Sequence, residues 1–325
     1  MAPSDAQTPA LALHSVGPSV RRRERRRTGQ TSGRLNWASG ALLTPFAILF
    51  ALFFVVPIVY AIVQSFLGSE AGGLGLSAPT VKFVGFANYV QVIADPDFGA
   101  GFGRIGIFAV INIPITLGLA LLIALLLNLS SMPFRGFFRI VYFLPYAIPG
   151  VVSGILWAFL YSPSLSPYSQ LSAAVGAGQV DFLSPQVVLF AIANIVIWQF
   201  AGYNMLILTA SLNAIPTEQY EAARIDGCGR LREALYIKIP QLVPALVMTV
   251  LFAIIGTLQL FNEPLILSLI TKSVTSTYTP NLMAYTEAFS NNNSYLAAAI
   301  SVLLAVLTAI ASFIFLSIVN KRSAL

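Results

Sequence analysis

Long apolar runs alternate with short polar stretches along this chain. The runs fall at Ala41–Phe66, Ile105–Asn128, Phe138–Tyr161, Val187–Ser211, Val243–Leu267 and Leu296–Val319. Each reaches the roughly 20 residues that a helix needs to cross about 30 Å of hydrocarbon. In lipid, backbone N–H and C=O groups must be satisfied within the protein, which an unbroken apolar run does as a helix. A transmembrane barrel is excluded, because its strands alternate apolar and polar over about ten residues. The pattern predicts an all-α polytopic membrane protein with six transmembrane helices.

What lies between the runs sets the orientation. Residues 1–37 have little apolar periodicity and are rich in Ser, Thr, Pro, Gly and Arg. They predict a disordered basic tail ahead of a transmembrane domain over 38–325. The first run is longer than a signal-peptide core and shows no convincing cleavage site, so it is expected to stay as a span. With a cytoplasmic N-terminus, the inner side receives Arg21–Arg23, Arg25–Arg27, Arg34, Arg135, Arg139, Arg224, Arg230, Arg232, Lys238, Lys321 and Arg322. Only Lys82, Arg104 and Lys272 then face outward, the asymmetry that the positive-inside rule demands. Both termini are expected in the cytoplasm.

Composition narrows the function classes. The chain is 57% hydrophobic and 9% charged, with a mean hydropathy of +0.81, which excludes an ordinary soluble domain. The net charge of +6 fits topology and anionic membrane lipid, not nucleic acid. One cysteine, Cys228, and one histidine, His14, leave no internal disulfide framework and argue against a metal or His-dependent catalytic centre.

The stretch "EQYEAARIDGCGRLREALYIKIPQLVPAL" (Glu218–Leu246) breaks the apolar pattern between spans four and five, hence on the inner side. It predicts two short helices within a loop over 213–240. Thr217 is the expected N-cap of the first, with Glu218 and Glu221 in its first turn, where the helix dipole favours acids. Ala222 and Ala223 give a smooth surface, and Gly227 ends the helix as a left-handed cap. The second helix starts at Gly229, with Leu231, Leu235, Tyr236 and Ile239 on one face. Pro240 and Pro244 then mark the entry to span five. On residue chemistry alone the loop fits a docking surface and a solvated connecting hairpin equally well.

The pattern Glu221-Ala222-Ala223, Asp226-Gly227, Ile237, Pro240 and Pro244 resembles the EAA signature of binding-protein-dependent ABC importer permeases. Cys228 stands where that signature carries Ala, a small residue for a small one. The stretches "FVGFANYVQVIADPDF", "YFLPYAIPGVVSGILW" and "WQFAGYNMLILTASLNAIP" are similar to the sugar and glycerol-phosphate (maltose-type) permeases. The resemblance runs from about Leu42 to the C-terminus. It implies a multi-pass protein of the bacterial cytoplasmic membrane that moves a sugar or polyol, with an ATPase pair, a second permease subunit (identical or different) and an extracytoplasmic solute-binding protein as partners. It also implies that Glu221, Ala222, Ala223, Arg224, Asp226 and Gly227 dock in the ATPase subunit. ATP and Mg would be bound there, because no lysine of this chain follows glycine, as a P-loop requires. Driving a pore from 1:99 to 99:1 takes roughly 5.5 kcal/mol of differential binding, which a partner must supply. The chain itself is not expected to be an enzyme.

Polar side chains inside spans usually face a partner helix or an aqueous cavity. Span four carries Asn194, Trp198, Gln199, Tyr203 and Asn204; span five carries Thr257, Gln259, Asn262 and Glu263. Pro264 predicts a kink beside Glu263. Amides and aromatic rings suit a hydroxyl-rich ligand. The resemblance implies a solute pathway past Gly202, Tyr203, Met205, Gln259 and Asn262, and the polar span residues Asn204 and Glu263 are assigned to the same pathway; all of these fit helix packing or contact with a second subunit equally well. Glu263 is expected near the outer interface and hydrated, with a packing or gating role. Gly150 and Gly154 form a Gly-x-x-x-Gly packing pattern in span three, Pro145 and Pro149 predict a bend before it, and Trp157 is expected to anchor at the interface. A short outer helix is expected within Thr279–Asn293. A stand-alone secondary transporter or channel is the alternative, which predicts mid-membrane carboxylates or inverted repeats; no cluster of catalytic side chains supports a membrane enzyme.

Overall fold

The computed structural model describes residues 37–72, 77–129, 131–162, 166–174, 176 and 181–323; the predicted basic tail lies outside them except for Trp37. The chain divides into two compact units, one ending at Pro57 and one comprising Ile58–Leu325. The first holds α1 (Trp37–Phe50) and a wider π turn (Ala51–Val55) that leads into α2 (Val56–Ser65). Leu42, Phe46 and Phe53 are exposed, as hydrocarbon-facing side chains are. The π turn sits directly ahead of Pro57, which has no N–H and whose ring would strike the carbonyl four residues back; one looser turn relieves both problems.

In the second unit a two-stranded antiparallel hairpin follows, β1 (Leu67–Gly72) and β2 (Ser77–Phe83), with Leu67 opposite Phe83. The sequence analysis did not anticipate it. After α3 (Ala87–Ala94) comes α4 (Pro96–Leu127), which starts a full two turns before the predicted Ile105. Asp95 explains the early start: its side chain accepts a hydrogen bond from Asp97 N at 2.8 Å, and Pro96 occupies the first helical position, where its missing N–H does no harm.

The predicted third span is two helices, α5 (Arg135–Ala147) and α6 (Gly150–Tyr161), which meet at 94°. The bend foreseen at the prolines is therefore a break at Ile148–Pro149. A short α7 (Pro167–Ala174) precedes α8 (Val188–Asn213), α9 (Thr217–Ile225) and α10 (Arg230–Glu233). A second π turn, Ala234–Lys238, stands ahead of Pro240 as the first does ahead of Pro57, and joins α10 directly to α11 (Ile239–Leu258). The second loop helix is thus the foot of span five and not a separate element. Then come α12 (Asn262–Ser268), α13 (Pro280–Phe289) and α14 (Ser294–Ser323). With α10–α12 counted as one rod, five described helices are long and apolar enough to cross a membrane, and six if the α5–α6 pair is one crossing.

The most buried of these spans is α8, with Ile192, Ile195, Met205 and Leu208 fully enclosed. Gly202 lets it touch α5: a Cβ there would collide with the backbone carbonyl of Tyr142. Gly154 does the same for α6 on α12, where a Cβ would meet Ile266 at 3.1 Å, so the Gly-x-x-x-Gly pattern is a packing surface. Trp157 and Tyr161 sit in the core beside α8. Trp157 is 9% exposed, which corrects its reading as an interfacial anchor.

Candidate functional site

The loop between α8 and α11 is built by local rules. Pro216, already extended at ψ 134°, is the N-cap of α9, and Thr217 is its first helical residue, with no side-chain cap bond. Thr217 is therefore not the cap. Glu218 alone lies in the first turn; Glu221 stands one turn further on. The C-terminal end matches expectation. Gly227 adopts φ +77°, Gly227 N donates to Arg224 O at 3.1 Å and Cys228 N to Ala223 O at 2.8 Å, the paired bonds of a Schellman ending. A Cβ on Gly227 would meet nothing within 4 Å; the backbone angle, not space, calls for glycine.

Glu221, Ala222, Arg224, Asp226 and Gly227 are exposed and Ala223 is half-buried. Ile225 is 86% exposed, and Leu231 and Tyr236 are almost as open. The apolar face predicted for the second helix thus stands outside the described core, as a contact surface would.

Beneath α9 lies a fastening that the sequence reading missed. Tyr220 packs with Leu212, Ile215 and Leu242, and Lys238 Nζ sits 5.0 Å from its ring centre. Lys238 also pairs with Glu233 at 2.9 Å, both side chains being buried, and Arg224 Nε reaches Glu233 from α9 at 3.4 Å. Gln241 Nε2 donates to Gln219 Oε1 at 2.6 Å. Burial, and then the charge of Glu233, raise the pKa of the Tyr220 phenol. Glu233 and Lys238 are five apart, which puts them on different faces of an α-helix; the π turn between them, with its i→i+5 period, brings them together. An i,i+5 charge pair just ahead of Pro240 was the available signal.

The second region is a cavity of about 190 Å³ between α4, α8 and the α11–α12 junction. The rod unwinds at Gln259–Phe261, a turn earlier than the predicted kink, and Pro264 falls in the first turn of α12, where a missing N–H is harmless. The carbonyls freed by the break are satisfied from the α13 segment: Asn281 Nδ2 donates to Gln259 O at 3.1 Å and Thr279 Oγ1 to Leu260 O at 3.2 Å. The short helix expected within Thr279–Asn293 is α13, capped by Thr279.

Of the predicted pathway residues, Tyr203, Asn204, Gln259, Asn262 and Glu263 line this cavity. Gly202 and Met205 do not: Gly202 is a backbone contact with α5, and Met205 is fully buried among Leu208 and Leu212. Gln199 turns away and donates to Ile148 O at 3.2 Å, which satisfies a carbonyl at the α5–α6 break. Asn194 donates to Tyr161 Oη at 2.8 Å, and Tyr161 donates to Ala191 O. Glu263 is 6% exposed. It faces the cavity. Asn204 is buried; its Nδ2 donates to Phe200 O at 2.9 Å, and its Oδ1 has no hydrogen-bond partner among the described residues. Asn112 and Thr116 of α4 complete the polar wall, Thr116 Oγ1 donating to Asn112 Oδ1 at 3.3 Å. Their i, i+4 spacing within an apolar run was a signal the sequence reading did not weigh.

A family model for the inner membrane component of binding-protein-dependent transport systems matches residues 117–324. A probable ABC transporter permease of Pyrococcus horikoshii is 32% identical over 268 residues, which cover 81% of this chain and 88% of the relative. The lactose transport system permease of Rhizobium radiobacter is 30% identical over 265 residues, covering 79% and 86%. Among solved structures, a bacterial ABC transporter that imports the acidic polysaccharide alginate shares the fold at a TM-score of 0.74 and 20% identity, over 88% of this chain and 96% of that one. The chain belongs to the inner membrane components of binding-protein-dependent transport systems, the permeases of ABC transporters.

Proposed function

We propose that this permease conducts a sugar or related polyol through the cavity between α4, α8 and the α11–α12 break, driven by an ATPase seated on α9. The observation that carries the reading is the cavity's polar wall. Amides of Asn112, Asn204, Gln259 and Asn262 converge with the rings of Phe108, Phe200 and Tyr203 at a broken span. Amides donate to and accept from hydroxyls, and rings stack on the apolar face of a sugar. The lactose relative supports the solute class. At about 190 Å³ the cavity has the liquid volume of about six waters, the scale of one sugar ring at a time.

In this reading both termini are cytoplasmic and the membrane is the bacterial cytoplasmic membrane. Glu221, Ala222, Ala223, Arg224, Asp226 and Gly227 meet the ATPase, which binds ATP and Mg. A second permease subunit closes the pathway, and an extracytoplasmic solute-binding protein delivers to it. The exposed Ile225 and Leu231 support the docking role, since apolar side chains of that size in a polar loop mark contact surfaces. The test is ATPase stimulation and uptake by the purified complex in liposomes, with its binding protein, against a panel of neutral sugars. Stimulation by one of them is expected; transport by this chain without an ATPase companion would overturn the reading.

A further inference from the structure

The proposed pathway has a charge character that the family does not fix, since the fold is shared by a lactose permease and by an importer of an acidic polysaccharide. Sixteen residues line the cavity, and none of them is Lys, Arg or His. Its one ionisable group with a charge to offer is Glu263, 6% exposed, which forms no ion pair among the described residues. Among its uncharged groups, the buried Asn204 Oδ1 is an acceptor with no hydrogen-bond partner among the described residues, while its Nδ2 is already engaged with Phe200 O.

We infer that the cavity passes uncharged or cationic solutes and rejects carboxylated, sulfonated or phosphorylated ones, with Glu263 and Asn204 Oδ1 accepting hydrogen bonds from solute hydroxyl or amino groups. The inference rests on the pathway reading above and narrows its solute class. An anion entering here leaves its hydration shell and finds no cation to replace it. With Glu263 ionised it also meets a like charge; at about 6 Å and an effective dielectric of about 20, that repulsion is on the order of a hundredfold in affinity. With Glu263 protonated the first penalty remains. A neutral polyol suffers neither, and its hydroxyls supply the hydrogen that Asn204 Oδ1 lacks.

The experiment is equilibrium dialysis of the purified, nucleotide-free complex without its binding protein, so that the selectivity of that protein plays no part. A panel of neutral disaccharides identifies the best binder, which is then compared with its own derivative oxidised to a carboxylate at C6. The neutral sugar is expected to bind at least tenfold more tightly. Glu263→Gln is expected to narrow that gap by strengthening binding of the carboxylated form, and Glu263→Lys to narrow it further or reverse it. Should Glu263→Lys fail to assemble, the Gln variant alone decides. Equal binding of the neutral and carboxylated forms by the unaltered complex overturns the inference and leaves the pathway reading standing. Binding of no sugar at all, while the full system still takes up sugar, overturns the pathway reading and this inference with it.

Discussion

The α9 loop and the α11–α12 cavity are two polar regions of an apolar chain, and they are made in opposite ways. The loop is contiguous: Thr217–Lys238 contains its helix, its left-handed ending at Gly227 and the Arg224–Glu233–Lys238 group that ties it down. The cavity is assembled from α4, α8, α11 and α12, at the break of span five over Gln259–Phe261. The difference predicts how each fails. Damage to the cavity's framework reaches the whole fold, whereas damage to the loop leaves a folded permease that has lost its hold on its motor.

The largest effect tests the framework. Gly202→Leu would drive a side chain into the Tyr142 carbonyl, backbone against which nothing can move aside. Loss of assembled complex is expected, read by size-exclusion chromatography of the solubilised membrane. A monodisperse, active G202L complex would mean that α8 and α5 do not pack as described, and would return Gly202 to the list of pathway residues.

Gly227→Asp is the matching test on the loop. A Cβ there meets nothing, and Asp is among the non-glycine residues that tolerate the left-handed region best, so insertion and the six-span fold should survive. The side chain instead obstructs the proposed ATPase seat. Uptake is expected to fall by more than tenfold while the permease remains at normal levels in the membrane. Normal uptake would remove α9 as the docking element.

These two variants also show what the sequence displays and what it conceals. The spans, the Gly227 ending and the α13 helix follow from composition and from neighbours a few residues apart, so they were legible. The early start of α4 depended on recognising Asp95 and Pro96 as a cap. The Glu233–Lys238 pair depended on knowing that the turn before Pro240 is a π turn. Gly202 and Met205 were assigned to the pathway by carrying the family's motif over onto the residues around Tyr203. On a helix, neighbours in sequence point about 100° apart, and only tertiary packing decides which of them faces a cavity. Asn112 and Thr116 reach the same wall from a span nearly a hundred residues earlier.

A smaller effect is expected where the loop meets span five. Glu233→Gln leaves Lys238 buried beneath Tyr220 with one charged partner gone. Losing one member of a buried pair costs about 3–5 kcal/mol in favourable cases; the Arg224 contact adds little to that, because Arg224 is largely exposed. The local α9 contact should loosen, while α11 stays anchored by Leu242. Hydrogen exchange over α9 is expected to speed up several-fold, with uptake reduced less than in Gly227→Asp. Unchanged exchange would show that Tyr220 and its apolar neighbours hold α9 without the ion pairs. Faster exchange with unchanged uptake would show that the fastening is real but not needed for coupling.

The smallest changes are expected from single truncations in the cavity wall, because several amides share the task there. Gln259→Ala and Asn262→Ala should each reduce sugar uptake by roughly three- to tenfold, the scale of one hydrogen bond worth about 1 kcal/mol, with ATPase assembly unchanged. The two residues differ in a way that sharpens the test. Gln259 holds α13 through its backbone carbonyl, which accepts from Asn281, so its side chain can be removed without disturbing the break. Asn262 packs its side chain against Gly150, so its loss also opens space between α6 and α12. If the cavity is a solute path, both variants lose uptake, and Gln259→Ala loses it without any fall in melting temperature. If the amides only hold helices together, Asn262→Ala lowers the melting temperature, Gln259→Ala does nothing, and the polar wall of the cavity is packing instead of pathway.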